Sequence, residues 1–313
     1  MKKRALVTGG AGFIGSHLVK RLVAEGAEVV VIDDLSMGDA SKVDSGAQLI
    51  ALDVRSLEAS RLIKDFKPDV VFHLAAQINL RRSLQQPLED ASINILGSIN
   101  VMQSLLESAE DISKVKFVFS STGGAIYGDV DILPTPETVE PNPLSPYGVA
   151  KFSVEKYLYY YHMVHGLPYV ALRYSNVYGP GQSTKGEAGV VAIFLEKMLA
   201  GETPVINGDG TQTRDFVFVE DVVDANIKAA CSDAVGVFNI GTGRESSVLD
   251  IFRLLKQYVG KDFPEVHGPA IPGELQRSCL DYGRAKDVLG WEPRVDLEEG
   301  LEITAQAFAE EHK

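Results

Sequence analysis

The amino-acid sequence predicts an α/β fold in which a doubly wound parallel sheet is followed by a smaller mixed α/β domain. Short apolar runs of strand length alternate with segments whose apolar residues recur at helical spacing. The first apolar run leads directly into a glycine-rich turn, and the alternation is lost after about residue 174. Strands that alternate with crossover helices form parallel sheets covered by helices on both faces.

Each strand is predicted from an apolar run bounded by turn residues. The first run is 4–7, and the helix after it, through Ala24, has apolar side chains at helical spacing. The other buried strands of the first half are predicted at 27–32, 48–53, 69–74, 115–120 and 169–173.

Three glycines, Gly9, Gly12 and Gly15, stand between the first strand and the first helix. In a turn of this kind Gly9 permits the tight bend, Gly12 lets the backbone approach phosphates, and Gly15 lets the helix pack on the strand. The helix N-terminus presents free N–H groups and a partial positive charge. We therefore expect a Rossmann-type turn that binds the diphosphate of a dinucleotide.

A carboxylate pair, Asp33-Asp34, ends the second strand. A carboxylate at this place accepts hydrogen bonds from the adenosine ribose and repels a 2′-phosphate. The sequence therefore favours NAD over NADP.

Polar residues follow several other strands. Because ligands bind at the carboxyl ends of parallel strands, we expect these residues along one rim of the sheet. His73 precedes the rim inside an apolar strand, which favours a core histidine. The rim residues are Asp33, Asp53, 75–77, 120–122 and 174–176.

The second half has a different pattern. Turns at 179–181 and 208–211 are followed by helical patterns. We expect an NAD-binding domain at 1–174, to which segments near 213–243 return, and a substrate domain at 175–313. The helices are predicted at 190–200, 220–231, 246–259 and 297–310.

Composition narrows the class of protein. The chain has 313 residues, 45% of them apolar, and a formal charge of −13, which argues against nucleic acid or an anionic membrane as partner. Cys231 and Cys279 lie far apart without metal-ligand spacing, so we expect two free thiols, no metal and a cytoplasmic protein. The sequence shows neither an export signal nor a membrane span.

The segment 145–151 begins a helix, because Ser145 can cap it and Pro146 suits its first turn. Tyr147 and Lys151 are four residues apart and share one helix face. A nearby ammonium and a positive nicotinamide ring would both favour the phenolate, which makes Tyr147 a candidate base.

Together these motifs resemble the extended short-chain dehydrogenase/reductase family, in its NAD-dependent epimerase/dehydratase branch. The motifs are the glycine turn, Asp53, Ala75-Ala76, Asn94, 120–122, the Tyr147–Lys151 pair, 173–180 and 214–217. The resemblance covers about residues 4–295. It implies an NAD-dependent isomerase that acts on a nucleotide sugar, a UDP-sugar in particular, and a homodimer that pairs the helices at 94–109 and 147–164.

The resemblance also implies a set of site residues. Thr122, Tyr147 and Lys151 are the expected catalytic residues. The expected NAD contacts are Gly9, Gly12, Phe13, Ile14, Gly15, Asp33, Asp34, Leu35, Ser36, Gly38, Asp53, Val54, Leu74, Ala75, Ala76, Gln77, Asn94, Ser120, Tyr147, Lys151 and Tyr174. The expected substrate contacts are Ser83, Ser121, Thr122, Tyr147, Asn176, Val190, Arg214, Arg277 and Ser278.

Two departures from the family pattern leave alternatives open. The loop at 122–128 is one residue longer than the usual spacing, so the hydroxyl on the sugar 4-OH is Thr122 or Ser121. Ile271 stands where relatives often place an arginine on the diphosphate. Arg82, Arg214 and Arg277 could neutralise that diphosphate, or could each pair with a surface carboxylate.

The residues after Thr122 distinguish between reactions. The resemblance implies that dehydratases carry an Asp-Glu pair there, whereas this chain has Gly123-Gly124, which supplies no acid or base. The expected reaction is therefore oxidation at C4, rotation of the 4-keto sugar and return of the hydride. The alternatives are a nucleotide-sugar reductase or dehydratase, a UDP-glucuronate 4-epimerase, or an NAD-sensing protein without activity.

The choice of sugar depends on the position that follows 273–275. There the resemblance implies a tyrosine in members restricted to glucose and galactose, and a small residue in members that accept acetamido sugars. This chain has Ser278, so acetamido sugars are an expected additional substrate unless Ser278 faces elsewhere.

Overall fold

The computed structural model describes residues 3–183, 189–271 and 275–311. The strands are β1 (Arg4–Thr8), β2 (Glu28–Asp33), β3 (Gln48–Ala51), β4 (Val70–His73), β5 (Lys116–Thr122), β6 (Tyr169–Tyr174), β7 (Asn176–Tyr178), β8 (Val205–Asn207), β9 (Thr213–Arg214), β10 (Phe216–Phe218), β11 (Gly236–Ile240), β12 (Ser246–Ser247) and β13 (Val266–Gly268). The helices are α1 (Phe13–Ala24), α2 (Leu57–Phe66), α3 (Leu80–Gln85), α4 (Pro87–Ala91), α5 (Gly97–Ser108), α6 (Pro146–His165), α7 (Val190–Leu199), α8 (Val219–Cys231), α9 (Val248–Val259) and α10 (Leu297–Glu311).

In the described residues, seven strands form one sheet in the order β11-β6-β5-β4-β1-β2-β3. Every neighbouring pair is parallel. The order reverses between β1 and β4, and this brings the glycine turn after β1 beside the end of β4. The predicted α/β fold with a doubly wound parallel sheet is confirmed.

Both faces of the sheet are covered. On one face, α1 and α8 contribute buried residues such as Leu18, Leu22 and Val222. On the other face, α2, α5 and α6 contribute residues such as Ile63 and Leu158. Apolar strand residues therefore face apolar helices on each side, which explains why the strands read as continuous apolar runs.

The later part of the chain builds a second core around α7, α9 and α10, with Phe194, Phe252 and Phe308 buried in it. Within 213–243, β11 pairs with β6 at the edge of the large sheet, whereas β9 pairs with β12 and β10 with β7. The division into domains at residue 174 stays a prediction.

The predicted helix at 94–109 differs in detail. A π-helical turn, Ser92–Leu96, precedes α5, which begins at Gly97. Asn94 lies in this turn and is buried. None of the helices in the described part of the chain is long and apolar enough to cross a membrane.

Candidate active site

The glycine turn has the geometry that a diphosphate site requires. Gly9 has φ +73°, and a Cβ on it would lie 2.6 Å from Ala75 N. A Cβ on Gly15 would lie 2.1 Å from Gly9 O, whereas one on Gly12 would lie 3.3 Å from the same oxygen. The first turn of α1, with Phe13 and Ile14, has no side-chain cap at Gly12. The first amides of α1 and the close-packed glycines therefore fit the diphosphate of NAD.

Asp33 lies beside this turn at the end of β2. Its carboxylate accepts hydrogen bonds from Ala11 N (3.0 Å) and Leu35 N (2.9 Å). Burial raises the pKa of Asp33, and these two backbone donors oppose the rise. Gly38 packs against the same carboxylate, since a Cβ there would lie 2.7 Å from Asp33 Oδ1. Asp33 is thus a fixed acceptor at the place expected for the adenosine ribose.

The neighbouring residues predicted to contact adenosine are anchored locally. Asp34 accepts hydrogen bonds from the backbone N–H and the hydroxyl of Ser36. Asp53 accepts hydrogen bonds from Nε and the backbone N–H of Arg55, and this partner lowers its pKa. Val54 is buried against Gly97.

The turn after β4 is tied to Asn94. Gln77 N donates to Asn94 Oδ1 (2.8 Å), and Asn94 Nδ2 donates to Gln77 O (3.0 Å). Ala75 N donates to Thr8 Oγ1, which joins this turn to the end of β1. The segment Leu74, Ala75, Ala76 and Gln77 is therefore held at the rim beside the glycine turn.

His73 is a core histidine, as its position in an apolar strand predicts. Its ring nitrogens are hydrogen-bonded to Thr8 Oγ1 (2.7 Å) and Ser98 Oγ (2.9 Å). Burial, with a contribution from the Lys151 charge, lowers the pKa of His73 to about 3. The ring is neutral at physiological pH.

The residues at the start of α6 bring Tyr147 and Lys151 together. Ser145 Oγ accepts a hydrogen bond from Gly148 N (3.1 Å), and Pro146 occupies the first turn. Lys151 Nζ donates to Ser120 O (2.7 Å) and lies 5.9 Å from the centre of the Tyr147 ring. The lysine therefore joins α6 to the end of β5, beside the candidate base.

Burial disfavours the charged form of both side chains, the Lys151 ammonium and the Tyr147 phenolate. It lowers the pKa of Lys151 to about 7, although Asp90 and Glu155 oppose the shift. It raises the pKa of the Tyr147 hydroxyl above its ordinary value, and the charge of Asp90 raises it further. Tyr147 is therefore protonated in the free protein, and a phenolate needs an additional positive charge nearby.

The two hydroxyls at the end of β5 have different surroundings. Ser121 is buried, and its Oγ donates to Glu155 Oε1 (2.6 Å). Glu155 is also paired with Arg173 through two guanidinium nitrogens. Thr122 is half-buried, and its Oγ1 accepts a hydrogen bond from Ala125 N (3.2 Å). Among the described residues the Thr122 hydroxyl proton has no acceptor and could be donated to a ligand, whereas that of Ser121 is donated to Glu155.

Three segments that carry predicted substrate contacts lie side by side. Asn176 N donates to Asp215 O, and Thr213 N donates to Gln276 O. Asn176, Arg214 and Arg277 are consequently on adjacent segments. The Asn176 side chain faces the loop after Thr122, because a Cβ on Gly124 would lie 3.7 Å from Asn176 Oδ1.

The three candidate arginines differ in their contacts. Arg82 pairs with Glu89 (2.7 Å) and Arg277 with Glu245 (2.5 Å), both at the surface. Arg214 is half-buried, and its Nη1 donates to Thr213 O (2.7 Å). Arg82 and Arg277 are therefore each paired with a surface carboxylate. To bind a diphosphate, each would have to release that carboxylate.

The remaining residues predicted to contact NAD or the substrate differ in burial and in hydrogen bonding. Ser83 is fully buried, and its hydroxyl has no hydrogen-bond partner in the described residues. Tyr174 is buried and donates to Asn226 Oδ1 (3.0 Å). Val190 is the first residue of α7, and Ser278 is half-buried. Gly273 and Glu274, which belong to the motif that precedes Ser278, lie outside the described residues.

Within the described part of the chain, sequence reasoning gave no role to four buried carboxylates, which are Asp90, Glu155, Asp215 and Asp221. Asp215 accepts hydrogen bonds from Thr242 N (2.8 Å) and Leu280 N (3.2 Å), so it joins β9 to the segment after Ser278. The sequence signal that could have identified Asp215 is its place between Arg214 and an apolar strand. Asp90 gave no such signal, since it lies in a polar helical stretch. In the described residues no group of acidic, histidine or cysteine side chains could hold a metal ion.

Comparison with known proteins agrees with this geometry. The profile of the NAD dependent epimerase/dehydratase family matches residues 5–241. A UDP-glucose 4-epimerase from Mycolicibacterium smegmatis is 45% identical and covers 97% of this chain and 98% of its own. The structure of UDP-glucose 4-epimerase from Thermotoga maritima with UDP-glucose is 47% identical, with a TM-score of 0.96, over 99% of this chain and 100% of its own. The structure of a UDP-N-acetylglucosamine 4-epimerase from Methanobrevibacter ruminantium with UDP-N-acetylmuramic acid is 34% identical, with a TM-score of 0.93, over 99% and 100%.

Proposed function

Because the chain belongs to the NAD-dependent epimerase/dehydratase family, we propose that it is a UDP-sugar 4-epimerase that interconverts UDP-glucose and UDP-galactose. One observation carries the choice of reaction. Lys151, which lies near the Tyr147 ring, is hydrogen-bonded to Ser120 O in the strand that ends at Thr122, and the next two residues, Gly123 and Gly124, supply no acid or base. Such a site can move one proton at the sugar 4-OH but has no group after Thr122 to expel water.

When bound, NAD supplies a reversible hydride acceptor for C4 of the sugar. The residues of this chain move the proton and position the sugar. Thr122 orients the 4-OH, and Tyr147 accepts its proton as the 4-keto sugar forms. The Lys151 ammonium holds the nicotinamide ribose and stabilises the phenolate. Asn176, Arg214 and Arg277 bind the nucleotide diphosphate.

Gly123 explains how the longer loop still leaves Thr122 at the rim. A Cβ on Gly123 would lie 2.3 Å from Leu280 Cδ1, so the loop packs closely against the Leu280 side chain and a larger residue would displace it. Leu280, which packs against this loop, is two residues after Ser278. The assignment of Ser278 to the hexose pocket rests on this neighbouring position and on its half-buried side chain.

The test of this function is incubation of the purified protein with UDP-galactose or UDP-glucose, without added cofactor. We expect each substrate to give the same equilibrium mixture, because the hydride returns to the sugar and NAD is regenerated. Chromatography of the nucleotide sugars measures it. If neither sugar is converted even after NAD is added, while NAD remains bound, the assignment as an epimerase is wrong.

The same assay tests the acetamido sugars. We expect UDP-N-acetylglucosamine to be epimerised at a rate comparable to UDP-glucose, because a serine at 278 leaves space for the acetamido group. Ser278→Tyr should abolish this activity and spare the activity on UDP-glucose, whereas Ser278→Ala should keep both. Lack of turnover of either acetamido sugar by the unmodified enzyme would exclude Ser278 from this role.

We also propose a homodimer, which an exposed apolar stripe on α6 supports. Tyr157, Tyr160 and Val164 are exposed and recur on one helix face, and Leu96 is exposed at the end of the π-helical turn that precedes α5. Light scattering should give twice the chain mass, and Tyr160→Asp with Val164→Asp should give the monomer mass. Leu57→Asp changes an exposed leucine on α2 and serves as the control. A monomer for the unmodified protein would contradict the proposal.

The cytoplasm is the compartment that we propose. Both cysteines are free, with Cys231 exposed and Cys279 buried, as expected where thiols stay reduced. Cell fractionation checks this, and recovery of the protein from an oxidising compartment would contradict it.

A further inference from the structure

A buried carboxylate that the reaction does not use lies on α4, which packs against the helix of the Tyr147–Lys151 pair. Asp90, on α4, is 1% exposed. Its Oδ1 accepts a hydrogen bond from Gln77 Nε2 (2.9 Å), but its buried Oδ2 has no partner in the described residues. A buried carboxylate oxygen without a partner is unfavourable, because no hydrogen bond replaces the hydration that it loses. Such a group needs a compensating cation or a function.

The helix that packs against α4 carries a buried cation, Lys151. Helix α4 packs against α6, and both helices also contact the π-helical turn that contains Asn94. The charge of Asp90 acts on both Tyr147 and Lys151. Lys151 is itself buried, with Ser120 O as its hydrogen-bond acceptor, so its ammonium requires a nearby negative charge.

The other charged and titratable groups around the pair are already matched or neutral. Glu155, one turn after Lys151 on α6, is paired with Arg173 from β6 (3.0 and 2.6 Å) and accepts the Ser121 hydroxyl. His73, from β4, is neutral. Asp90 is therefore the carboxylate in the described surroundings of the pair that has no arginine or lysine hydrogen-bonded to it.

From this arrangement we propose that Asp90 is a positioning residue that sets the protonation of the Tyr147–Lys151 pair. Its negative charge keeps Lys151 protonated in a buried site and keeps Tyr147 protonated until a cation binds. A nicotinamide ring brings that cation, so proton removal from the sugar becomes favourable only with cofactor in place. The inference rests on the proposed function, in which Tyr147 is the base.

The link between Asp90 and Gln77 fixes the position of this charge. Gln77 follows the end of β4, and its backbone is hydrogen-bonded to Asn94 in both directions. Gln77 Oε1 also accepts a hydrogen bond from Asn79 N (2.6 Å). The Asp90 carboxylate is consequently held by the same turn that we expect to contact NAD.

Asp90→Asn tests the proposal, because it removes the charge and keeps an oxygen for Gln77. Since Asp90 raises the pKa of both Tyr147 and Lys151, its removal should lower both. Both limbs of the pH profile of kcat should therefore move to lower pH, by about one pH unit. The tyrosinate absorbance of the NAD-bound protein, corrected with a Tyr147→Phe variant, should move in the same direction.

Two further variants separate charge from packing. Asp90→Glu keeps the charge and should leave both limbs near their original pH. Glu107→Gln removes one negative charge from an exposed residue of α5 and should leave them unchanged. If Asp90→Asn lowers kcat without moving the limbs or the tyrosinate titration, or moves them to higher pH, the proposal is wrong. The tyrosinate titration does not depend on turnover, so it distinguishes this failure from failure of the proposed epimerase activity.

Discussion

Tyr147→Phe is expected to lower kcat by about 10²–10⁴-fold, the range that a positioned general base contributes. The substitution removes one oxygen from a half-buried ring and leaves the packing of α6 intact. Binding of NAD and of UDP should therefore be nearly unchanged. Single-turnover kinetics with UDP-galactose, together with calorimetry for UDP, measures the two quantities separately.

Tyr159→Phe is the matched control, because it removes the same oxygen from an exposed tyrosine of α6. It should leave kcat unchanged. If Tyr147→Phe keeps more than about a tenth of the activity, another group transfers the proton. Equal losses in kcat and in UDP binding would instead indicate a disturbed fold.

Gly15→Ala is expected to abolish retention of NAD and to destabilise the protein by about 1–3 kcal/mol or more. Its Cβ would lie 2.1 Å from Gly9 O and 2.7 Å from Gly10 Cα. Both contacts are with backbone atoms, so α1 would have to move away from β1. Thermal unfolding and the absorbance of co-purified NAD measure the two effects.

Gly12→Ala separates the fold from the cofactor site. Its Cβ would be 3.3 Å from the nearest atom, Gly9 O, so the free energy of unfolding should fall much less than in Gly15→Ala. It should still weaken NAD binding, because the methyl group occupies the side from which the backbone approaches the phosphates. Full NAD retention by Gly15→Ala would contradict the proposed role of the turn.

The large sheet could be predicted because its determinants are local. Each parallel strand is covered on both faces, so it appears in the sequence as a continuous apolar run. The turn at Gly9 and the pair at Tyr147 and Lys151 are also local patterns, within eight and five residues. The roles of the individual site residues stay predictions, since those roles concern bound molecules.

The sequence could not predict contacts between distant segments. Ser121 and Thr122 are adjacent hydroxyl residues, and the contact that occupies the Ser121 hydroxyl comes from Glu155, more than thirty residues later on α6. The environment of Asp90 depends on Gln77 and on the packing of α4 against α6. The same reason applies to Asp215, whose partners lie 27 and 65 residues away along the chain.

The position of β11 at the edge of the sheet has a consequence for biosynthesis. The neighbouring strand, β6, ends at Tyr174, but its partner is synthesised more than sixty residues later, at Gly236–Ile240. The helix α8, which covers one face of β5 and β6, also comes late. Until the ribosome has released about residue 240, the nascent chain carries an open strand edge and an uncovered apolar face, the features that promote aggregation. A fragment that stops at residue 174 would keep both of them permanently.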